Sequence, residues 1–567
     1  MHTSRIRILS ILAFLFASVL AVRLFFVQIV DGKEYSDKAD GQYVTYATPL
    51  FNRGSIYFQE KDGNPVSAAT LKTGLVLAIN PKALTDREHV YEELNAIIPI
   101  DRESFFLHAG KKDDPYEVIA TRLPQEIGEK ITALQLPGVV LSKERWRFYP
   151  AETLGAHVLG FVGYSNDILA GRYGLERFYD YALKRESKDL FVNFFAEIFA
   201  NLAQTIFRGG EEREGDITLT IEPHVESFFE EELARISDTW KSDAVGGLIL
   251  NPKTGAIYAM GALPSFNPNT FNTEKNQTVF ANPIVESVFE MGSIIKPLTV
   301  AAGLDSGAVT SETTYYDSGS IELDGATIKN FDEKGRGKVL LQEILNQSLN
   351  TGSVFIMQEM GKEKFREYFK AYELGEETGI DLPHEVTGII NNLDSPRILE
   401  YATAAFGQGI AMTPIETARA LATLGNGGVL VTPHVVDRIT YRTGFFKKIV
   451  YNDGKQIFKP ETSEAITRML VRVVDEALLG GSVKLPQYSI AAKTGTAQIA
   501  KENGRGYYED RFLHSFFGYF PAYDPQFLVF LYTVNPKDVK YASQTLTMPF
   551  MDIAKFLLNY YEVPPDR

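Results

Sequence analysis

Ile8 to Val22 is a run of 15 residues without a charged side chain. A helix of that length covers about 22 Å, short of the ~30 Å hydrocarbon core of a bilayer. After Arg23 the apolar texture resumes from Leu24 to Val30, interrupted only by Gln28. An arginine near the outer interface can snorkel, so Ile8 to about Val30 can span as one helix. Arg5 and Arg7 precede the run, while Asp31, Lys33 and Glu34 follow it, which keeps the basic side inside. The rival is a cleaved signal peptide, for which Val19-Leu20-Ala21 is an acceptable site. Cleavage there would leave an apolar stub, Val22 to Val30, at the new N-terminus. Either way the rest of the chain is exported, and a cytoplasmic enzyme is excluded. The anchored reading gives residues 1–31 as a cytoplasmic tip and membrane anchor, single-pass in the cytoplasmic (inner) membrane, with the remainder extracytoplasmic.

Composition narrows the chemistry. With no cysteine in 567 residues there are no disulfides, thiol nucleophiles, thiolate zinc sites or iron–sulfur clusters. The eight histidines include no pair within four residues, so HExxH-type zinc signatures are absent. A net charge of −15 argues against a nucleic-acid partner, which requires a basic face. An enzyme built from these residues needs Ser, Thr, Lys or a carboxylate as nucleophile. No metal is expected.

From Gly32 to about Glu214 short β-like runs, such as Thr73 to Ile79, alternate with charged stretches. Within it, Phe191, Phe194, Phe195, Ile198, Phe199, Leu202, Ile206 and Phe207 recur at helical spacing. Such a helix, near 190–207, either packs on its own domain or offers a face to a membrane partner or bilayer. The texture changes at Asp216. Ile217 to Ile221 reads as a strand and Pro223 to Ile236 as a helix. Val245 to Leu250, the turn at Asn251-Pro-Lys-Thr-Gly255, and Ala256 to Met260 read as a hairpin. Ser489 to Lys493, Ser515 to Phe520 and Phe527 to Val534 read as further strands. The expected fold is α+β and multidomain: a transmembrane helix, an extended β-rich segment at 32–214, and a domain at 215–567 with an antiparallel sheet flanked by helices.

The pattern S-x-x-K occurs once, at Ser293-Ile294-Ile295-Lys296, after Gly292 and before an apolar helical stretch. Ser293 would sit at the helix N-terminus, with Lys296 one turn on and on the same face. Backbone N–H groups there favour developing negative charge. To take the serine proton Lys296 must be neutral, and lowering its pKa from about 10.4 to about 7.5 costs roughly 4 kcal/mol. Burial and a second cation are the means. The bland alternative is a capping serine and a surface lysine. K-T-G occurs three times. Lys72-Thr73-Gly74 opens a β-like run and Lys253-Thr254-Gly255 sits in a hairpin turn, so both read as structural. Lys493-Thr494-Gly495-Thr496 follows an apolar strand, and its glycine suggests close approach by another backbone or a ligand. S-x-N occurs at Ser265-Phe266-Asn267, in a Pro-rich loop, and at Ser348-Leu349-Asn350, expected to end a helix starting near Leu340. The second lies between the S-x-x-K and the last K-T-G.

The ordered set S-x-x-K, S-x-N, K-T-G is the serine–lysine signature of penicillin-binding proteins and class A β-lactamases, with Leu349 in the middle of S-x-N. The chain resembles the class B penicillin-binding proteins almost end to end. Arg53-Gly54-Ser55-Ile56, Arg147-Phe-Tyr-Pro150, Leu159-Gly160 and Gly174-Leu175-Glu176 are similar to the boxes of that family's pedestal (dimerisation-type) domain. Pro264-Ser-Phe-Asn-Pro-Asn269, Phe289-Glu-Met-Gly-Ser293, Phe406-Gly-Gln-Gly-Ile410 and Lys493-Thr-Gly-Thr-Ala-Gln498 are similar to its catalytic boxes. Met291 stands where the family usually has Pro, and Ala492 where it often has Gly.

The resemblance implies a membrane-anchored peptidoglycan D,D-transpeptidase that cross-links stem peptides ending in D-Ala-D-Ala and is acylated by β-lactams. It implies Ser293 as nucleophile, Lys296 as base, Ser348 as proton shuttle and Asn350 as a donor-holding amide. Lys493 would supply positive potential. The N–H groups of Ser293 and Thr496 would form the oxyanion hole, and Thr494 and Thr496, flanking Gly495, would bind the terminal carboxylate. No cofactor is implied; a membrane glycan polymerase and division or elongation proteins are the implied partners. Phe289-Glu-x-Gly-Ser and Asn350 resemble the septal branch slightly more than the elongation branch. A D,D-carboxypeptidase or β-lactamase-type hydrolase shares the three motifs, and a non-catalytic scaffold or β-lactam sensor is the non-enzymatic alternative.

Overall fold

The computed structural model describes Phe16 and residues 51–111, 114–165, 168–185, 214–442, 444–451, 454–501 and 506–567. The expected anchor, but for Phe16, and the Phe-rich stretch lie outside them. Among the described residues no helix is long and apolar enough to cross a membrane.

The chain divides into two compact units. The smaller is built on residues 73–145. The end of the strand Pro65–Ile79 pairs antiparallel with Glu117–Leu123, Leu75 opposite Leu123. Helices Arg87–Asn95, Arg102–Ala109 and Gln125–Ala133 accompany them. Leu77, Ile79, Leu94, Phe105 and Ile131 form their common core. Asp86 and Asp101 cap the first two helices, accepting from the amides of His89 and Ser104. Each offers a side-chain oxygen to an otherwise orphaned N–H. The stretch expected to be β-rich therefore carries helices as well.

The larger unit takes residues 52–72, 146–185 and 214–567. Its five-stranded sheet uses β1 (Ala244–Leu250), β2 (Ile257–Leu263), β3 (Ala491–Ala500), β4 (Tyr507–Phe520) and β5 (Phe527–Val534). The order is β3-β4-β5-β1-β2, antiparallel throughout, with β3 at an edge. Four helices matter most: α1 (Pro223–Trp240), α2 (Lys296–Asp305), α3 (Asn350–Met360) and α4 (Thr547–Tyr560). Helices α1 and α4 share one core with Val245, Ile249, Phe516, Val529 and Leu531. Residues of α2 and α3 belong to a second core with Leu248, Phe517, Phe530 and Tyr532. Neighbouring strand residues thus enter opposite cores, so the sheet is covered on both faces. That explains why β1 and β5 are nearly continuous apolar runs, where a one-sided sheet would alternate. The hairpin β1–β2 turns through Gly255 at φ +81, where a side chain would be strained.

The same unit gathers the pedestal-like boxes. Arg53 donates to Glu176 at 2.5 Å and to Asp180 at 2.7 Å; Arg147 reaches the other oxygen of Glu176 and the carbonyl of Gly54. Glu176 is fully buried. Burial alone would raise its pKa, but the two guanidiniums hold it below the usual carboxylate value.

Candidate active site

The turn before Ser293 is fixed from both sides. Phe289 and Met412 exchange backbone hydrogen bonds, and the amide of Gly292 donates to the carbonyl of Gly407 at 3.0 Å. Gly292 takes φ +63, and a Cβ there would lie 2.9 Å from the carbonyl oxygen of Thr496. Only glycine lets the turn lie this close to β3. The chain then makes a 3₁₀ turn, Gly292–Ile295, before α2 begins at Lys296. The sequence suggested an α-helix from Ser293. At the end of this turn the Lys296 N–H donates to the carbonyl of Ser293, an i→i+3 bond that sets the two residues one tight turn apart. Pro297 falls at the start of α2, where its missing N–H costs least. Ile294, Ile295 and Leu298 are buried and root the turn in the core.

Lys296 is fully buried and donates through Nζ to the carbonyl of Ser348 at 2.6 Å and to Ser348 Oγ at 3.1 Å. Burial, and then the positive charge of Lys493, push its pKa well below the ordinary value. Lys493 is 3% exposed and donates to Ser348 Oγ at 3.2 Å and to the carbonyl of Thr494 at 3.0 Å. Burial lowers it to about 7. Two ammonium groups this close to one hydroxyl lie no more than about 6.3 Å apart, and at an effective dielectric of 20 their repulsion is at least about 2.6 kcal/mol. Burial and this repulsion together disfavour a charge on both amines at once.

Ser348 sits differently from expectation. Ser348-Leu349-Asn350 joins two helices: Gln342–Asn346 ends before it, and α3 starts at Asn350. Ser348 has φ +54, a left-handed conformation that few non-glycine residues adopt. Three anchors hold it: Lys296 on its carbonyl, the fully buried Leu349, and the Asn350 side-chain amide on the carbonyl of Lys329 at 2.8 Å. Both lysines donate to Ser348 Oγ and can fill its two lone pairs, leaving its own proton to point elsewhere.

On β3, Thr494 and Thr496 are half-buried, and Thr496 Oγ1 accepts from the amide of Ala542 at 3.1 Å. A Cβ at Gly495 would lie 2.7 Å from the carbonyl oxygen of Met291. This is the close backbone approach that the glycine suggested. As an edge strand, β3 keeps backbone groups along its outer side for an extended peptide. The other K-T-G copies are remote in kind. Lys72 lies in a strand with its amine 4.8 Å from the centre of the Phe148 ring, and Lys253 is an exposed turn residue paired with Asp524.

Two supports carried no local signal. Tyr507 donates to Glu290 at 3.0 Å, tying β4 to the serine turn. Thr351 and Asn330 both donate to the buried carboxylate of Asp317, fixing the start of α3. These partners lie 13 to 217 positions apart.

Comparison with known proteins bears on the family and the fold. The model of the penicillin-binding protein transpeptidase domain matches residues 245–555, and that of the penicillin-binding protein dimerisation domain matches 51–189. Stage V sporulation protein D of Bacillus subtilis is 31% identical, over 97% of this chain and 84% of its own. A peptidoglycan D,D-transpeptidase FtsI homolog of Mesostigma viride is 28% identical, over 99% and 96%. Penicillin binding protein 2X from Streptococcus thermophilus superposes with a TM-score of 0.73 at 18% identity, covering 91% of this chain and 81% of that one. Penicillin binding protein 3 from Mycobacterium tuberculosis, complexed with aztreonam, gives 0.69 at 20%, covering 92% and 98%. At these identities the two structures speak for the fold.

Proposed function

The chain belongs to the class B penicillin-binding proteins, peptidoglycan D,D-transpeptidases of cell-wall synthesis, and on that premise we propose that its acyl transfer runs through Ser293. The observation that carries this reading is the pair of buried lysines on one serine hydroxyl, beside a turn that presents a second serine. Neutral Lys296 takes the proton of Ser293 as its Oγ attacks the penultimate D-alanyl carbonyl. Negative charge on that oxygen meets the N–H groups of Ser293 and Thr496; one such donor is worth about 3–4 kcal/mol. The amide bond breaks as the proton passes through Ser348 to the nitrogen of the departing D-alanine. Lys493 supplies positive potential, Thr494 and Thr496 hold the terminal carboxylate, and Asn350 holds the donor backbone. An amine from a neighbouring stem then attacks the ester carbonyl, forms the cross-link and returns the proton to Ser293. A β-lactam follows the first half of this path.

Residues 1–31 act as tip and anchor, 32–214 as pedestal and 215–567 as transpeptidase domain. The protein is single-pass with its catalytic domain extracytoplasmic, works beside a membrane glycan polymerase, and leans to a septal role. The Ser293→Ala variant tests the centre. It should fold and lose labelling by a fluorescent penicillin; persistent covalent labelling of the folded variant would sink the assignment.

A further inference from the structure

Strand β4 carries none of the three motifs, yet it holds the peptide unit on which the nucleophile turn depends. The Met291–Gly292 peptide comes immediately before the one whose N–H belongs to Ser293. It is gripped at both polar atoms. Its carbonyl oxygen accepts from Ser515 Oγ at 2.7 Å, and its N–H donates to the carbonyl of Gly407 at 3.0 Å. Ser515 is fully buried on β4 and is the register partner of Gly495. Residues directly opposed on neighbouring strands project from the same face. The Ser515 hydroxyl therefore crosses the space that a side chain at 495 would fill. A Cβ there would lie 2.3 Å from Ser515 Oγ and 2.7 Å from the Met291 oxygen. The glycine of K-T-G clears the path of this one hydrogen bond.

The turn needs such a restraint. Position 291 is Met, which lacks the ring that would lock its φ. Gly292 follows at φ +63 and is permissive by nature. Any rotation of the Met291–Gly292 plane is passed through Gly292 to the Ser293 amide.

We propose that Ser515 is a positioning residue of the acyl-transfer site. Its hydroxyl fixes the Met291–Gly292 peptide plane, and through it the direction of the Ser293 N–H that stabilises the oxyanion. This rests on Ser293 being the nucleophile. The role predicts a loss confined to the tetrahedral state: the donor cleft is untouched, while a misaimed donor weakens the transition state.

The test uses the full-length chain and Ser515→Ala. Three quantities are measured: the non-covalent dissociation constant for penicillin, the acylation rate constant, and the affinity of a boronic acid that forms a tetrahedral adduct on the serine. Acylation should slow by about 10- to 100-fold, boronate affinity should fall by the same factor, and penicillin dissociation should stay within about twofold. Ser515→Cys keeps a weaker donor and should recover part of both losses together; it carries the comparison alone if Ser515→Ala does not fold. Wild-type acylation in a folded variant overturns the proposal. So does a loss that appears in penicillin dissociation and leaves boronate affinity unchanged. Ser293→Ala run in parallel separates the premises: labelling that survives there removes the nucleophile, whereas a dead Ser293→Ala beside an unimpaired Ser515→Ala removes only Ser515.

Discussion

Replacing Lys493 with methionine should change the protein's stability by an amount that depends on pH. Lys493 is wholly enclosed, and burial lowers it from 10.5 to about 7. In the unfolded chain it stays protonated up to about 10.4. Between those values the unfolded state binds more protons than the native state, so wild-type stability rises with pH. Below pH 7 the native protein carries the full cost of the buried charge, roughly 5 kcal/mol, and the cost is relieved as pH climbs. The Lys493→Met variant removes this burden, while losing hydrogen bonds to Ser348 and the Thr494 carbonyl worth about 3–6 kcal/mol together when the amine is charged. The absolute difference is therefore modest, but its slope is not. Between pH 8 and pH 9 the difference should move in favour of the wild type by about 1.4 kcal/mol, one proton's worth. Calorimetric melts of both proteins from pH 6 to 9.5 give the slope; taking the difference cancels the titrating groups that do not interact with Lys493, and repeating it in a Lys296→Met background removes the amine that does. A difference that does not change with pH would refute the claim that Lys493 is held below its ordinary value.

Other outcomes follow from the same geometry. The rate of penicillin acylation should show an alkaline limb near pH 7 as Lys493 loses its charge, and Lys493→Arg should abolish that limb at a lower plateau, because a guanidinium stays charged; an unchanged limb would exclude Lys493 as its source. Lys72→Ala and Lys253→Ala should leave acylation near wild type while Lys493→Ala slows it strongly; equal losses at all three would refute the distinction drawn from context. Glu176→Gln should lower stability by about 3–5 kcal/mol in melts, since it leaves the buried guanidinium of Arg147 without a carboxylate and that of Arg53 with Asp180 alone. The depressed pKa of Glu176 makes its contribution full above the ordinary carboxylate range and lost as pH falls through the native value, so acid should narrow the gap between wild type and Glu176→Gln.

The sheet was legible because its signals are local. The turn at Gly255 and the apolar runs at Val245 and Phe527 mark strands whatever surrounds them. The three K-T-G copies show where locality fails. They are identical as tripeptides, and only context separates them: a turn in one, a strand beside an aromatic ring in another, a buried edge strand in the third. Gly495 was readable as a site of close approach, because a glycine in a strand needs a reason. What approaches it, Met291 and Ser515, was not readable, since the partners lie 204 and 20 positions away in the chain.

Ser348 is the most instructive departure. Read along the chain, Leu340 to Asn350 continues one helix that ends in S-x-N. In the structure the helix stops at Asn346, and Asn350 begins another. No breaker residue marks the junction. The left-handed φ of Ser348 costs of order 1 kcal/mol, and it persists because its surroundings over-determine it. The Lys296 ammonium takes the carbonyl of Ser348, Leu349 is drawn into the core, and Asn350 is tied to Lys329. A single unbroken helix would forfeit all three anchors. It would also turn Ser348 Oγ away from the two lysines it now serves. The motif spacing recorded the result of that arrangement, a serine and an amide two residues apart, without recording the bend that makes both face one cleft. The chemistry proposed for this site depends on the bend as much as on the residues. Ser348 can relay a proton only while its lone pairs face Lys296 and Lys493, and that orientation comes from tertiary contacts against local helix preference.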